Sequence, residues 1–432
     1  MLTKLQKFSY GIARLGSTTL LSAFSFAGFY VYWDVFKLDP ALSGVVNAIG
    51  KIAILVNSIV MGYLSDMTRT RLGKRKPFII TGAPMLALSA LLYFTPFYFI
   101  SIDDKTALFY WGAFWNAAFN FFYGYLLTPF QAWMPEITEP GERITITTLQ
   151  NISNMLGNTV GVVFSFLVPT LYKGGLLLPV MAAFAVLEIA LYMPSVFLIP
   201  VEQKTALTPK ITRDILDIFR FKEYIGWETV RMLMSAAETM VVALIVKYVS
   251  AVIGLGQNLA SVVFGIVMVV FVMGAFPFWA RLARRMGKGQ ALTRAAIILM
   301  AGLLMAPLPA LVTSEVLRIT MGMLAIILGA IGISAYELFP YAVMADLVHL
   351  NEIKTGLNRA GLFTGFEGIP INISQSLTYL FIGYLASLPP FDGYEYTTGL
   401  VVWGPIAAVF TALAVMVLRR VNIDPFKQEV VS

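Results

Sequence analysis

The 432-residue sequence contains no cysteine and a single histidine, His349. Disulfide staples, thiol chemistry and a cysteine–histidine metal cluster are excluded, and no cofactor is expected. Charge is scarce too, with 13% of residues charged against 58% hydrophobic. No polar segment is long enough for a soluble domain, so function has to lie within the apolar segments or at their faces. An enzyme needs convergent nucleophile, base or metal ligands. One histidine without cysteine leaves scattered carboxylates, so catalysis is not expected. The first 30 residues also lack a short apolar core followed by a small-residue cleavage site, and the opening run reads as a retained span.

What is present is a series of twelve apolar stretches, near 9–33, 42–64, 77–100, 107–130, 147–170, 176–200, 226–250, 259–280, 291–312, 318–340, 359–385 and 397–418. A crossing of the bilayer takes about 20 mostly apolar residues, so each is a candidate span. The net charge of +7 would suggest nucleic acid in a soluble chain; here its distribution matters more, and no nucleic-acid partner is expected. Lys4, Lys7, the cluster Arg69 to Lys76, Lys204 to Lys222, Arg281 to Lys288, Arg419 and Arg420 fall in segments on one side. Lys37, Lys105, Lys173, Lys247 and Arg318 fall on the other. Because cytoplasmic loops collect Lys and Arg, both termini and the middle loop are expected inside the cell membrane.

Three short matches repeat in order at an offset of about 210–220 residues. Arg71-Leu72-Gly73-Lys74 is echoed by Arg285-Met286-Gly287-Lys288; Pro129-Phe130 with Ala132, Met134 and Glu136 by Pro340-Tyr341 with Ala342, Met344 and Asp346; Asn151-Ile152-Ser153-Asn154 by Asn372-Ile373-Ser374-Gln375. The expected fold class is an all-α membrane protein of 12 transmembrane helices, two six-helix bundles in pseudo-twofold parallel repeat, which is the major facilitator architecture. The bundles are placed at 1–200 and 226–418. A cytoplasmic linker, 201–225, carries an amphipathic helix capped by Thr212, and a tail covers 419–432.

Gly62-Tyr63-Leu64-Ser65-Asp66, followed by Thr68-Arg69-Thr70-Arg71 and Gly73-Lys74-Arg75-Lys76-Pro77, resembles the glycoside–pentoside–hexuronide cation symporter family, which includes melibiose carriers. Tyr10-Gly11, the segment Pro129 to Arg143, and Ala345-Asp346 through Lys354-Thr355-Gly356 to Phe363 extend the resemblance into both halves. It implies a secondary transporter that works by alternating access. In that family an Arg in helix two is followed three and seven residues on by two Asp that bind the coupling cation. Here Lys51, Ile54 and Ser58 stand in those places. The sugar-contacting Lys-Asp pair of helix one falls on Ser17 and Thr18, and the acid of helix four on Leu127. The Arg of helix five falls on Asn151 and the Lys of helix eleven on Asn372. The resemblance therefore implies the fold but not Na⁺ coupling through the usual site.

Ionisable groups within hydrocarbon are costly and each asks for a role. Glu228, Arg231, Ser235 and Glu238 share a stripe on helix seven, which reads equally as a structural ion-pair ladder or as a proton site on Glu238, with Glu337 next. Lys51 needs an acid such as Glu238, Glu337 or Glu367, and an ion pair is slightly favoured over contact with a solute. Asn116, Asn120 and Tyr123, then Asn151 and Asn154, then Asn372 and Gln375 are candidate ligands of a hydroxyl-rich solute, with Trp115 as a stacking face; helix-to-helix adhesion is the plainer role for the amides. Asp66, Arg69, Arg71, Arg75 and Arg285 are expected to form an inner gate. His349 reads as an ordinary loop or helix-end residue. The expected activity is carriage of a small sugar-like or glycoside-like solute by a monomer in the lipid bilayer, coupled to a proton or passive. A lysolipid-like solute and a non-transporting receptor stand as alternatives.

Overall fold

A computed structural model describes residues 2–138, 140–201, 220–356 and 360–426. The amphipathic linker helix expected near Thr212 lies outside these residues, as do the side chains of Ser58 and Asp66. Contacts divide the chain into two compact units, residues 1–207 with 379–384, and residues 208–378 with 385–432.

In the first unit α1 (Lys4–Ile12) opens on a capping box: Thr3 accepts from the Gln6 amide and the Gln6 side chain accepts from the Thr3 backbone. It is followed by α2 (Arg14–Tyr30), α3 (Pro40–Met67), α4 (Lys76–Phe94), α5 (Lys105–Ile137), α6 (Pro140–Lys173) and α7 (Leu177–Leu198). Asp39 caps α3 just before a proline at the first helical position, and Asp104 caps α5. Each satisfies backbone N–H groups that a helix start leaves without partners. α2 packs against α6, α3 against α5, and α4 against α5 and α7. The core holds a pile of rings in which Phe24 stacks on Phe119 and Tyr93 and meets Phe94 edge-on. Tyr93 ties the pile down by donating to the Gly28 carbonyl at 2.9 Å.

The second unit contains α8 (Lys222–Lys247), α9 (Gln257–Val267), α10 (Phe276–Met286), α11 (Lys288–Met305), α12 (Glu315–Leu338), α13 (Pro340–Thr355), α14 (Ala360–Ala386) apart from its residues 379–384, and α15 (Gly399–Leu418). α11 packs on α12, and α15 on α8 and α11. A wider-wound stretch at Met268–Met273 interrupts the apolar run from α9 to α10. Helical structure continues through Pro370 in α14.

Among the described residues seven segments are long and apolar enough to cross a membrane. α3, α5 and α14, with 28, 33 and 27 residues, also exceed the length of a span. Large apolar side chains stand on outer faces, Phe197 at 78% and Val316 at 76% exposure among them. Such faces suit hydrocarbon rather than water.

Candidate functional site

A polar cavity of about 370 Å³ is lined by residues of the second unit, inside the ~300–1,000 Å³ range of small-molecule sites. Arg231, Met234, Ser235 and Glu238 line it from α8 at helical spacing, Tyr336 and Glu337 from the end of α12, and Glu367, Gly368, Ile371 and Gln375 from α14. Gly368 helps to open it, since a Cβ there would meet only the Asn372 side chain at 3.6 Å.

Two charge arrangements meet in the cavity. Arg231 pairs with Glu367 at 2.9 Å, joining α8 to α14. Beside them Glu238 on α8 and Glu337 at the end of α12 face the same cavity. Two carboxyls in one confined space resist ionising together. Ser235 is buried and its hydroxyl has no hydrogen-bond partner among the described residues. Glu228 is buried too, and among the same residues neither of its carboxyl oxygens has a partner. On the stripe expected on helix seven, Arg231 pairs with Glu367, while Ser235 and Glu238 line the cavity.

The amides have different settings. Asn116 donates to Asn47 at 3.3 Å and Asn120 donates back to Asn116, so both seam α3 to α5 within the first unit. They also border a small crevice with Lys51, Ser25 and Asn47. Asn154 accepts from Thr18 at 2.8 Å and from Arg14 at 3.1 Å, whereas Asn151 is exposed. Asn372 is half-buried and donates to the Gly368 carbonyl; its neighbour Gln375, not Asn372, lines the cavity. Trp115 rests against Trp111 and Phe114, and Tyr123 against Phe119. Glu367, considered as a partner for Lys51, is engaged by Arg231.

The side chain of Asp66, central to the expected gate, lies outside the described residues. Arg75 is buried and bonds Glu136 at 2.7 Å and the Ser65 hydroxyl, and Lys74 joins Glu136 at 2.9 Å. Arg69 and Arg71 are exposed. In the second unit Lys288, rather than the exposed Arg285, makes the contact, pairing with Asp346. The physical reason is position: Arg285 sits on the outer side of the last turn of α10, while Lys288 starts α11 beyond Gly287. His349 is exposed and stands 3.9 Å from Glu352. Sequence reasoning passed over Glu188, an acid in the middle of α7 that is fully buried. The signal that could have found it is one carboxylate inside an otherwise apolar helix.

A family model described as MFS/sugar transport protein matches residues 7–424. The chain belongs to that family. This MFS member is therefore a multi-pass membrane transporter. It is 23% identical to an isoprimeverose transporter of Lactiplantibacillus pentosus, across 97% of this chain and 89% of that protein. A 33% identity to a putative glycoside/cation symporter of Escherichia coli covers 22% of this chain and 21% of the relative. A match to an uncharacterized symporter of Synechocystis, 28% identical, spans 38% of this chain and less than a third, 30%, of that protein's length. Among solved structures, a D-xylose-proton symporter superposes with a TM-score of 0.66 at 11% identity, covering 95% of this chain and 96% of the other. A bacterial homologue of the iron transporter ferroportin in an inward-facing state gives 0.69 at 14% identity, covering 97% and 99%. Both show the shared fold.

Proposed function

We propose that this MFS member carries a small hydroxylated solute of the sugar or glycoside class across the cell membrane as a monomer, with both termini cytoplasmic. A proton taken up by Glu238, with Glu337 next in line, is its coupling ion. The observation that carries the reading is the second-unit cavity. It offers Ser235 and Gln375 for hydroxyl groups, a paired guanidinium at Arg231, and two acids, Glu238 and Glu337, on its wall. The names of the relatives, an isoprimeverose transporter and a glycoside/cation symporter, support the solute class. Asn151, Asn154, Asn372, Trp115 and Tyr123 are proposed as further solute contacts, and Lys51 as a counter-charge.

Na⁺ coupling through the family's usual helix-two site is not part of this reading, because Ile54 offers no oxygen ligand and Ser58 only an uncharged hydroxyl. In proteoliposomes, isoprimeverose and a panel of glycosides are tested under a pH gradient and, separately, a Na⁺ gradient. Uptake is expected to respond to the pH gradient and to be indifferent to Na⁺. Na⁺-driven accumulation overturns the coupling assignment. Stabilisation of the purified protein by lysolipids and by no glycoside overturns the solute class, since a ligand of the folded state raises its apparent stability.

A further inference from the structure

Glu188 takes no part in the proposed cavity, which belongs to the other unit. It sits midway along α7 with no exposed surface, and neither carboxyl oxygen has a hydrogen-bond partner among the described residues. Its place is made by Gly16 on α2: a Cβ at that position would collide with Oε2 of Glu188. A charged carboxylate in so dry a place, with no donor on either oxygen, is a strongly disfavoured species, while a carboxylic acid is tolerated.

The charged side chains on the helices around α7 can be named. They are Lys4 and Lys7 on α1, Arg14 on α2, Lys76 on α4, and Glu142 and Lys173 on α6, among the described residues. Lys7 is engaged by Glu142, and Lys76 donates to the Ile199 carbonyl at the far end of α7. Arg14 lies two residues before Gly16, the position on α2 that Glu188 packs against. Tyr192, one turn along, shares a hydrogen bond with Ser17 at 3.0 Å. Meanwhile the Arg14 Nε donates to Asn154 at 3.1 Å, at the oxygen that also accepts from Thr18.

We propose that Glu188 is a second proton-binding residue, in the first unit, and that Arg14 is the counter-charge that leaves Asn154 for Glu188 when the proton departs. In the proton-bound form Arg14 and Thr18 together hold the Asn154 amide, tying α2 to α6. When the O–H bond of Glu188 breaks and its proton passes to water, the carboxylate keeps the electron pair. The guanidinium then swings toward it, and the Asn154 oxygen retains Thr18 alone. Proton binding in this way sets the orientation of an amide proposed as a solute contact. Glu188 is thus a positioning residue, and the proposal rests on the transport reading only for the purpose it assigns to the movement.

Infrared spectroscopy of the full chain in lipid vesicles reads the carboxyl group directly and needs no solute, so its outcome is separate from that of the uptake experiment. At neutral pH the wild type is expected to show a carboxylic-acid C=O component that Glu188→Gln lacks. That component should fall as pH is raised, and should persist to higher pH in Arg14→Gln, where no cation answers the carboxylate. Should Glu188→Gln fail to fold, Glu188→Asp keeps an acid on a shorter arm and should shift the same component. An acid C=O region identical in wild type and Glu188→Gln, or unmoved by Glu188→Asp, overturns the proton site. Identical pH dependence in wild type and Arg14→Gln overturns the counter-charge.

Discussion

The two units share a pattern at their basic loops and part company inside. Gly73 and Gly287 both take a left-handed backbone, with φ of 89° and 92°, and a lysine follows each. Lys74 pairs with Glu136 in the first unit and Lys288 with Asp346 in the second, at places the sequence repeat sets side by side. In the interiors the same repeat yields opposite results. α2 and α6 approach closely because Gly157 and Gly161 present no side chain: a Cβ would lie 2.8 Å from the Leu15 carbonyl at the first and 2.7 Å from the Thr19 carbonyl at the second. At the offset of Asn151 to Asn372, the positions matching these glycines hold Thr378 and Ile382. There α8 and α14 meet through side chains, by the Arg231–Glu367 pair and by Ser374 donating to the Met232 carbonyl at 2.7 Å. The difference belongs to these two seams, since glycine also closes α11 on α12 in the second unit, at Gly302 and Gly332. The glycine-closed α2–α6 seam leaves no room between backbones, whereas the side-chain-joined α8–α14 seam borders the polar cavity.

The most damaging change is expected at the pair that joins α8 to α14. Arg231→Gln or Glu367→Gln alone should cost roughly 3 kcal/mol, because the remaining partner stays charged and largely dry, and should abolish uptake. The double variant should recover most of the stability and none of the uptake, as measured by thermal unfolding and a proteoliposome assay. Next comes Glu238→Gln, which keeps the shape and removes the acid: response to a pH gradient should vanish while solute exchange without a gradient persists. Proton-driven uptake surviving in this variant moves the role to another acid.

Glycine replacements test the difference between the seams directly. Gly161→Ala in α6 should destabilise by about 1–3 kcal/mol through overpacking against backbone. Gly368→Ala in α14, where a Cβ has space, should be neutral or stabilise by about 0.5–1 kcal/mol. Equal effects would erase the distinction between the two seams. The smallest changes belong to the basic loops, where partly exposed pairs are worth about 1 kcal/mol or less. Lys74→Ala should cost less than Lys288→Ala, because Arg75 still holds Glu136. The reverse order in thermal shifts would show that Arg75 does not back up Lys74.

The membrane class and the repeat are legible in the sequence because burial in lipid demands long apolar runs, and because glycine, proline and charge mark the ends of helices. The site is legible only in part. The spacing of Arg231, Ser235 and Glu238 gives a shared face, but the choice of Glu367 as partner depends on where α14 crosses α8, which no local pattern records. Asn151 and Asn372 match in sequence yet differ in setting, since Asn372 turns back on its own helix to the Gly368 carbonyl. Glu188 shows the same limit from the other side. Its chemistry is plain from its residue type, but its confinement comes from Gly16, distant in the chain and a neighbour in space.

The left-handed glycines of the two basic loops have a consequence for engineering. Any other L-residue at Gly73 or Gly287 would strain the backbone by roughly 1–2 kcal/mol. Both loops therefore reverse on the same hinge chemistry, and each hands the chain straight to a lysine with an acid waiting. These are natural seams. A chimera spliced at Gly73 or Gly287 between this chain and a relative bearing the same Gly-Lys step would join on matched backbone and matched charge, which makes them the places to exchange one cavity for another.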